Sequence, residues 1–147
     1  MADNATRRGF LIKVFSLLFG SVPLVSVLGG CATTGLAYYR GKMTRGTVSL
    51  MPPEFPELSE DGGAIQLEVE NFVEPVVVVR LNEKDFIALS PVCTHLGCTV
   101  RKEPSFFRCP CHGSAYALDG TVVRGPAKQR LTVFRTERVD NRLLIYL

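Results

Sequence analysis

The cysteine and histidine residues of this 147-residue chain constrain its fold more than any other feature. Of five Cys and two His, six fall within twenty residues. They form two groups, and each lies between strand-like segments, where loops can be directed at a common centre. Scattered structural residues would not cluster this tightly, so the stretch predicts a site. The six residues are Cys93, His95, Cys98, Cys109, Cys111 and His112.

Four kinds of site compete for these residues. A structural zinc site would leave two Cys over, and its usual ligand spacing differs from the Cys-x-His and Cys-x-x-His found here. Two disulfides would use all four Cys of an exported domain but leave one His per group unexplained. A catalytic Cys–His pair gives no reason to select one of four thiols. A two-iron cluster, with two Cys on one iron and two His on the other, uses this spacing.

The body of the chain has the signals of an all-β domain. Apolar and polar residues alternate over 65–70, a valine run occupies 76–79, and 86–89 is apolar. Asp119-Gly120 separates two further strand-like segments and is typical of a tight hairpin, and Asp140-Asn141 separates two more segments. No amphipathic helix of ordinary length is indicated. We therefore predict an antiparallel β sandwich or barrel over residues 64–147.

The amino-terminal region predicts attachment to a membrane. Residues 14–39 carry no charge and are long enough to cross a bilayer. Arg7-Arg8 before this run resembles a twin-arginine export signal, with residues 1–13 as its n-region. The Leu-Gly-Gly-Cys sequence ending at Cys31 resembles a lipobox. Residues 14–39 are thus either an uncleaved membrane anchor or the h-region of a lipoprotein signal, in which Cys31 would be lipidated.

Two further expectations follow from composition. Residues 40–63 are rich in Gly and Pro and lack a helical period, which predicts a flexible linker between anchor and domain. Residues 46–147 carry eleven Lys or Arg against thirteen Asp or Glu. A body this close to neutral excludes nucleic acid as an expected partner, because phosphate binding needs a strong excess of positive charge.

The two groups resemble the Rieske iron–sulfur subunits of quinol-oxidising cytochrome bc complexes. The matching motifs are Cys-Thr-His-Leu-Gly-Cys-Thr at 93–99 and Cys-Pro-Cys-His-Gly-Ser-x-Tyr at 109–116. The resemblance implies a Rieske-type antiparallel β fold with a small cluster-binding subdomain at about 91–128. It also implies a Rieske [2Fe-2S] cofactor and a disulfide between Cys98 and Cys111. The implied metal ligands are Cys93, His95, Cys109 and His112.

The resemblance assigns several more residues to the cluster site. Ser114 and Tyr116 match positions that donate hydrogen bonds to cluster sulfurs, which raises the reduction potential. Leu96 matches the apolar shield of the first loop, followed by Gly97. Gly-Pro-Ala at 125–127 resembles a loop that covers the cluster and places Pro126 beside it. The family usually continues with a second proline, and Lys128 stands there instead.

The resemblance also implies a function. The head of such a subunit takes electrons from membrane quinol at cytochrome b and passes them to a c-type cytochrome. His112 would contact the quinol and couple proton to electron transfer. The domain would lie on the outer, periplasmic side of a bacterial cytoplasmic membrane. Alternatives are the Rieske small subunit of another exported oxidoreductase, of the arsenite-oxidase type, and a metal-free, disulfide-bonded β domain that binds partners.

Overall fold

Short β-strands and two 3₁₀ turns form the part of the chain that the structure, a computed structural model, describes: residues 34–147. The twin-arginine region, Cys31 and most of the segment 14–39 lie outside it. The 3₁₀ turns are Pro52–Glu54 and Pro56–Leu58. The strands are β1 (Ala37–Gly41), β2 (Met43–Thr44), β3 (Thr47–Leu50), β4 (Ala64–Val69), β5 (Val76–Arg80), β6 (Phe86–Leu89), β7 (Arg101–Lys102), β8 (Phe106–Arg108), β9 (Ala115–Ala117), β10 (Val122–Arg124), β11 (Val133–Val139) and β12 (Arg142–Tyr146).

The strands form two sheets. The larger sheet has eight strands in the order β1-β4-β5-β6-β11-β12-β3-β2 and curls into a nearly closed barrel. Its two ends meet where Gly41 packs against Val48, so a Cβ on Gly41 would lie 3.4 Å from the valine. The smaller sheet has the order β10-β9-β8-β7. The all-β prediction is confirmed, and the small sheet is the subdomain that holds the clustered Cys and His.

The valine run of β5 is buried on both faces because it separates two hydrophobic cores. Val76 and Val78 pack in the barrel interior. Val77 and Val79 pack on the other side, against the core beneath the small sheet. All four are fully buried. This explains why 76–79 is a continuous apolar run. In β4 one face is partly exposed to water, so apolar and polar residues alternate along that strand.

The predicted linker at 40–63 is corrected by the structure, which builds most of this segment into the barrel. Strand β3 pairs with β12, and β2 forms a hairpin with β3. Leu58 is 1% exposed and belongs to the barrel core. The domain therefore begins well before residue 64.

Glycine and proline are common in flexible linkers, which is why the composition predicted one. In this segment they instead form tight turns. Arg45 and Gly46 both have positive φ, as a two-residue hairpin turn requires. Pro52 and Pro56 begin the two 3₁₀ turns, where a missing N–H costs nothing. A Cβ on Gly63 would overlap the carbonyl oxygen of Glu57. Each of these residues therefore fixes a conformation.

Strand β1 overlaps the carboxyl end of the apolar segment 14–39. It pairs in parallel with β4, from Ala37 opposite Ile65 to Gly41 opposite Val69. This is the only parallel pairing within residues 34–147. Residues 37–39 are thus strand. Among the described residues, no helix has the length and apolar character needed to cross a membrane.

Candidate metal centre

Two loops carry the clustered residues, and their backbones fold in the same way. In the first, Gly97 N–H donates to the Cys93 carbonyl (2.9 Å) and Cys93 N–H donates to the Cys98 carbonyl (2.8 Å). In the second, the matching bonds run from Gly113 to Cys109 (3.1 Å) and from Cys109 to Ser114 (2.7 Å). Gly97 and Gly113 both have positive φ, which glycine adopts without strain. Each loop therefore turns tightly around its first cysteine.

Cys93 and Cys109 are the free thiols of the described residues, and they lie side by side. They are 2% and 1% exposed. Burial raises the pKa of both thiols. At Cys93 this is outweighed by hydrogen bonds from Tyr116 and from the backbone N–H groups of His95 and Leu96, so its pKa lies below the ordinary value.

At Cys109 burial and the neighbouring Cys93 together dominate, and the pKa is raised. Its sulfur is also approached by the backbone N–H groups of Cys111 and His112, which act in the opposite direction. In both loops the donors are therefore the residues two and three positions after the cysteine. This arrangement surrounds each sulfur with N–H groups that stabilise a thiolate, the form that binds metals.

The two imidazoles lie against each other. The ring centroids of His95 and His112 are 4.9 Å apart, with the rings edge to face. The Nδ1 atom of His95 is buried and has no hydrogen-bond partner. Buried ring nitrogens are ordinarily bonded, so this atom requires a group that the protein does not supply, such as a metal ion. His112 is exposed, whereas His95 is half-buried.

A disulfide between Cys98 and Cys111 joins the two loops, with its Cα atoms 6.5 Å apart. The Cys109 sulfur lies within 4.8 Å of both disulfide sulfurs. The six clustered residues are thus divided into one disulfide, two free thiols and two imidazoles. A pair of disulfides is not compatible with this division.

Tyr116 connects the small sheet to the first loop. It is fully buried, and its hydroxyl lies 3.2 Å from the Cys93 sulfur. The hydroxyl accepts a hydrogen bond from the Thr94 N–H (3.2 Å) and lies 3.1 Å from the Thr94 hydroxyl. The Thr94 hydroxyl in turn donates to the Gln129 carbonyl at 2.6 Å. Burial, with the neighbouring Cys93, raises the pKa of Tyr116, so the phenol keeps its proton for donation.

Ser114 closes the second loop and contacts the segment 125–127. Its hydroxyl oxygen is fully buried and accepts the Ala127 N–H at 3.2 Å, which leaves the hydroxyl proton free for another acceptor. Gly125 has φ of 105°, and a Cβ there would lie 2.5 Å from the Ser114 Cα. Only glycine allows this contact. The glycine–proline segment therefore lies directly on the second loop.

The remaining predicted site residues lie at the surface. Leu96 is 68% exposed at the tip of the first loop. Pro126 and Lys128 are also exposed. Thr94 was not predicted as a site residue, although it lies inside the first motif. The contact between Gly125 and Ser114 was not predicted either, and the glycine before Pro126 was its only indication.

A [2Fe-2S] group fits the donor set. Two thiolates and two imidazoles are the ligands that a Rieske cluster requires. The two thiols lie beside each other, the two imidazoles do the same, and both pairs come from two similar loops. The buried His95 Nδ1 has no hydrogen-bond partner among the described residues. Cys93 and Cys109 would hold one iron, and His95 and His112 the other.

Curated relatives match about half of this chain. The cytochrome b6-f complex iron-sulfur subunit 3 of Nostoc sp. is 52% identical over 72 residues, which cover 48% of this chain and 40% of the relative. The menaquinol:cytochrome c reductase iron-sulfur subunit of Geobacillus thermodenitrificans is 46% identical over 74 residues, covering 46% and 44%. The chain spans less than half the length of these relatives.

A solved structure and a family model identify the fold and the family of the chain. A chain of a hyperthermophilic respiratory complex III superposes with a TM-score of 0.52 at 22% identity, covering 92% of this chain and 91% of the other, so the fold is shared. The model of the Rieske [2Fe-2S] domain matches residues 55–135, more than half of the chain. With its paired loops and matching donor set, the chain belongs to the Rieske [2Fe-2S] domain family.

Proposed function

We propose that the chain is the electron-transfer subunit of a quinol-oxidising cytochrome bc complex. It would take electrons from membrane quinol at cytochrome b and pass them to a c-type cytochrome. The observation that carries the proposal is the pair of loops joined by the Cys98–Cys111 disulfide, with the Tyr116 hydroxyl on Cys93. The relatives named for b6-f and menaquinol:cytochrome c complexes support it.

Quinol is a weak reductant, so its electron acceptor needs a high reduction potential. The bound [2Fe-2S] group supplies one-electron storage. The protein raises its potential by placing hydrogen-bond donors at the sulfurs, because these stabilise the added negative charge. Tyr116 and the backbone N–H groups of both loops are such donors. Ser114, with its free hydroxyl proton, is another.

We expect quinol to meet the site at His112. Of the two imidazoles, His112 is the exposed one. Leu96, 68% exposed on the facing loop, offers an apolar surface to the ring of a quinol. In this arrangement the quinol hydroxyl forms a hydrogen bond to the His112 ring and the quinol body packs on the loop tip.

The proposal includes a position at a membrane. The segment 1–39 would hold the chain to the bacterial cytoplasmic membrane, either as a span or through a lipidated Cys31, and the β domain would lie on its outer side. Mass spectrometry of the mature amino terminus distinguishes the two forms of attachment. A mature protein that is neither lipidated nor retained with the membrane fraction would contradict both.

The function is tested on the full-length protein purified from its native membrane. Iron and acid-labile sulfide analysis should give two of each per chain, and the reduced protein should show a Rieske EPR spectrum. Rieske centres span roughly −150 to +300 mV, and we expect a midpoint in the upper part of that range. A b-type cytochrome should copurify, and deletion of the chain should abolish quinol-dependent reduction of cytochrome c in membranes. A low midpoint, or copurification with a different oxidoreductase, would contradict the proposal.

A further inference from the structure

Three arginines form a row across the small sheet. Arg101 of β7 pairs directly with Arg108 of β8. Arg108 pairs on its other side with Ala115 of β9, and Ala115 pairs with Arg124 of β10. Directly paired residues of antiparallel strands project from the same face of the sheet. We call Arg101, Arg108 and Arg124 the arginine row; at ordinary strand spacing it spans about 14 Å.

The arginine row occupies the outer face of the sheet. The next residues along two of the strands, Phe107 and Tyr116, are paired with each other and lie in the core. Successive residues of a strand point to opposite faces, so Arg101 and Arg108 point outward. The register of β10 shifts between Val122 and Arg124, and the outward direction of Arg124 follows from its exposure. All three arginines are exposed.

These arginines have no internal partner among residues 34–147. The ion pairs of that region are Arg80–Asp61 and Arg135–Glu137, and no hydrogen bond from the three guanidinium groups is present. Glu103 joins Arg101, Arg108 and Pro110 in lining a cleft of about 260 Å³, and its carboxylate interacts electrostatically with Lys102. Like charges placed directly opposite on neighbouring strands destabilise a sheet. An unpaired row that costs stability in the isolated protein indicates a partner that supplies negative charge.

The row lies at the base of the metal centre. Arg108 immediately precedes Cys109, and Pro110 of the second loop lines the same cleft. Arg124 immediately precedes Gly125, which packs on Ser114. A protein that binds the arginine row would therefore come close to the second loop. Electron transfer from the metal centre to that protein requires such closeness.

The charge of the domain is also polarised toward this end. Residues 99–130, which contain the small sheet, carry six Lys or Arg and two Asp or Glu. The remaining described residues, most of them in the barrel, carry eight Lys or Arg and eleven Asp or Glu. The near-neutral total thus hides a positive cluster-bearing end and a negative barrel. Such an asymmetry orients an approaching charged partner before contact.

Given the proposed electron-transfer function, we propose that the arginine row is the docking surface for an acidic face of the electron-accepting protein. Guanidinium groups bind carboxylates in paired hydrogen bonds, and spaced carboxylates on a protein surface would match a row of this length. Exposed charge pairs of this kind accelerate encounter and still allow rapid release, which a carrier that turns over repeatedly needs.

The test is the rate at which the reduced, cluster-loaded, full-length protein passes electrons to a purified c-type cytochrome of net negative surface charge. Stopped-flow measurements at low ionic strength should give a second-order rate constant that falls as salt is added. Replacing both Arg101→Glu and Arg108→Glu should lower the low-salt rate constant by about tenfold and remove most of its salt dependence. The low-salt rate constant of the neutral double variant, Arg101→Gln with Arg108→Gln, should lie between those of the unaltered protein and the double Glu variant.

The matched control is the double variant Lys42→Glu with Arg142→Glu, which reverses two exposed positive charges outside the small sheet and changes the net charge by the same amount. It should leave the rate constant within about twofold of the unaltered protein. An equal loss in this variant would show that total charge matters and the row does not, and would overturn the proposal. A rate constant independent of salt would also overturn it. The EPR spectrum of each variant establishes that the centre is intact.

An anionic lipid surface is the competing occupant, because phosphates also bind arginine. Sedimentation with phosphatidylcholine vesicles containing phosphatidylglycerol measures this binding. If the double Glu variant lost vesicle binding but kept its rate constant with the cytochrome, the row would be a lipid site and the proposal would be wrong.

The docking proposal and the proposed function fail in different measurements. If quinol in the native membrane does not reduce the centre but the salt-dependent rate persists, the quinol function is wrong and the docking surface stands. If quinol reduces the centre normally and charge reversal changes nothing, the docking surface alone is wrong.

Discussion

At the scale of single residues, Tyr116 shows how the centre is tuned from outside its ligands. Its hydroxyl receives the Thr94 N–H, so its own proton is available to the Thr94 hydroxyl or the Cys93 sulfur. Because the Thr94 hydroxyl already donates to Gln129, it can only accept from Tyr116. The tyrosine proton is therefore shared between an oxygen and a sulfur, and negative charge on the sulfur draws it toward Cys93.

Replacing Tyr116→Phe should lower the midpoint potential of the centre. In the unaltered protein this hydrogen bond stabilises the reduced state of the centre, which is the more negative one. If it stabilises the reduced state over the oxidised state by about 1 kcal/mol, its loss lowers the potential by about 40 mV for one electron. Redox titration followed by EPR measures the shift. Tyr38→Phe, which alters a half-exposed tyrosine on β1, should leave the potential unchanged. Equal potentials in Tyr116→Phe and the unaltered protein would contradict the role given to this hydroxyl.

Residue-level prediction from the sequence succeeded where the chemistry is local. The two motifs hold the free thiols, the imidazoles and the disulfide cysteines within a few residues of one another, so spacing alone indicated a site. Contacts such as Thr94 with Gln129, or Gly125 with Ser114, join residues far apart in sequence. No local pattern encodes them, because they depend on how the loops are packed.

At the scale of elements, the strands were predictable where one face meets water or a tight turn marks the end. β4 alternates because one side is exposed, and the hairpin of β11 and β12 turns at Asp140, whose φ is positive. The segment 40–63 was not predictable, since glycine and proline suit both flexible linkers and tight, packed turns. Which of the two they form is decided by burial, and the sequence does not display burial directly.

Gly63→Ala tests whether that segment is an integral part of the fold. The new Cβ would overlap the Glu57 carbonyl, and relieving the overlap requires the backbone to shift. We expect a loss of about 3 kcal/mol in the free energy of unfolding, as for other overpacked sites. Urea denaturation followed by circular dichroism measures it. Gly41→Ala is the matched control, because its Cβ would meet ordinary contacts at 3.4 Å and should cost far less.

At the scale of the whole molecule, the barrel closes only with its first strands. β1, β2 and β3 supply three of the eight strands of the large sheet, and Val48, Leu50 and Leu58 contribute to its core. Without them β4 and β12 would each become an unpaired edge, and the inner faces of both strands would be exposed to water.

A fragment comprising residues 64–147 should therefore fail to fold, although it contains every predicted ligand. A fragment comprising 34–147 should fold cooperatively. Thermal unfolding of the two, followed by far-UV circular dichroism, gives the comparison. A cooperative transition in the shorter fragment would show that the barrel tolerates the loss of three strands and would restore the domain boundary predicted from the sequence.

Strand β5 has a consequence for the lifetime of the cofactor. Its valines face the barrel interior on one side and the packing beneath the metal ligands on the other, so the two cores cannot loosen independently. Metal retention is then thermodynamically linked to the folding of the barrel. A substitution at Val76, which faces away from every ligand, would shorten the time for which the protein holds its iron.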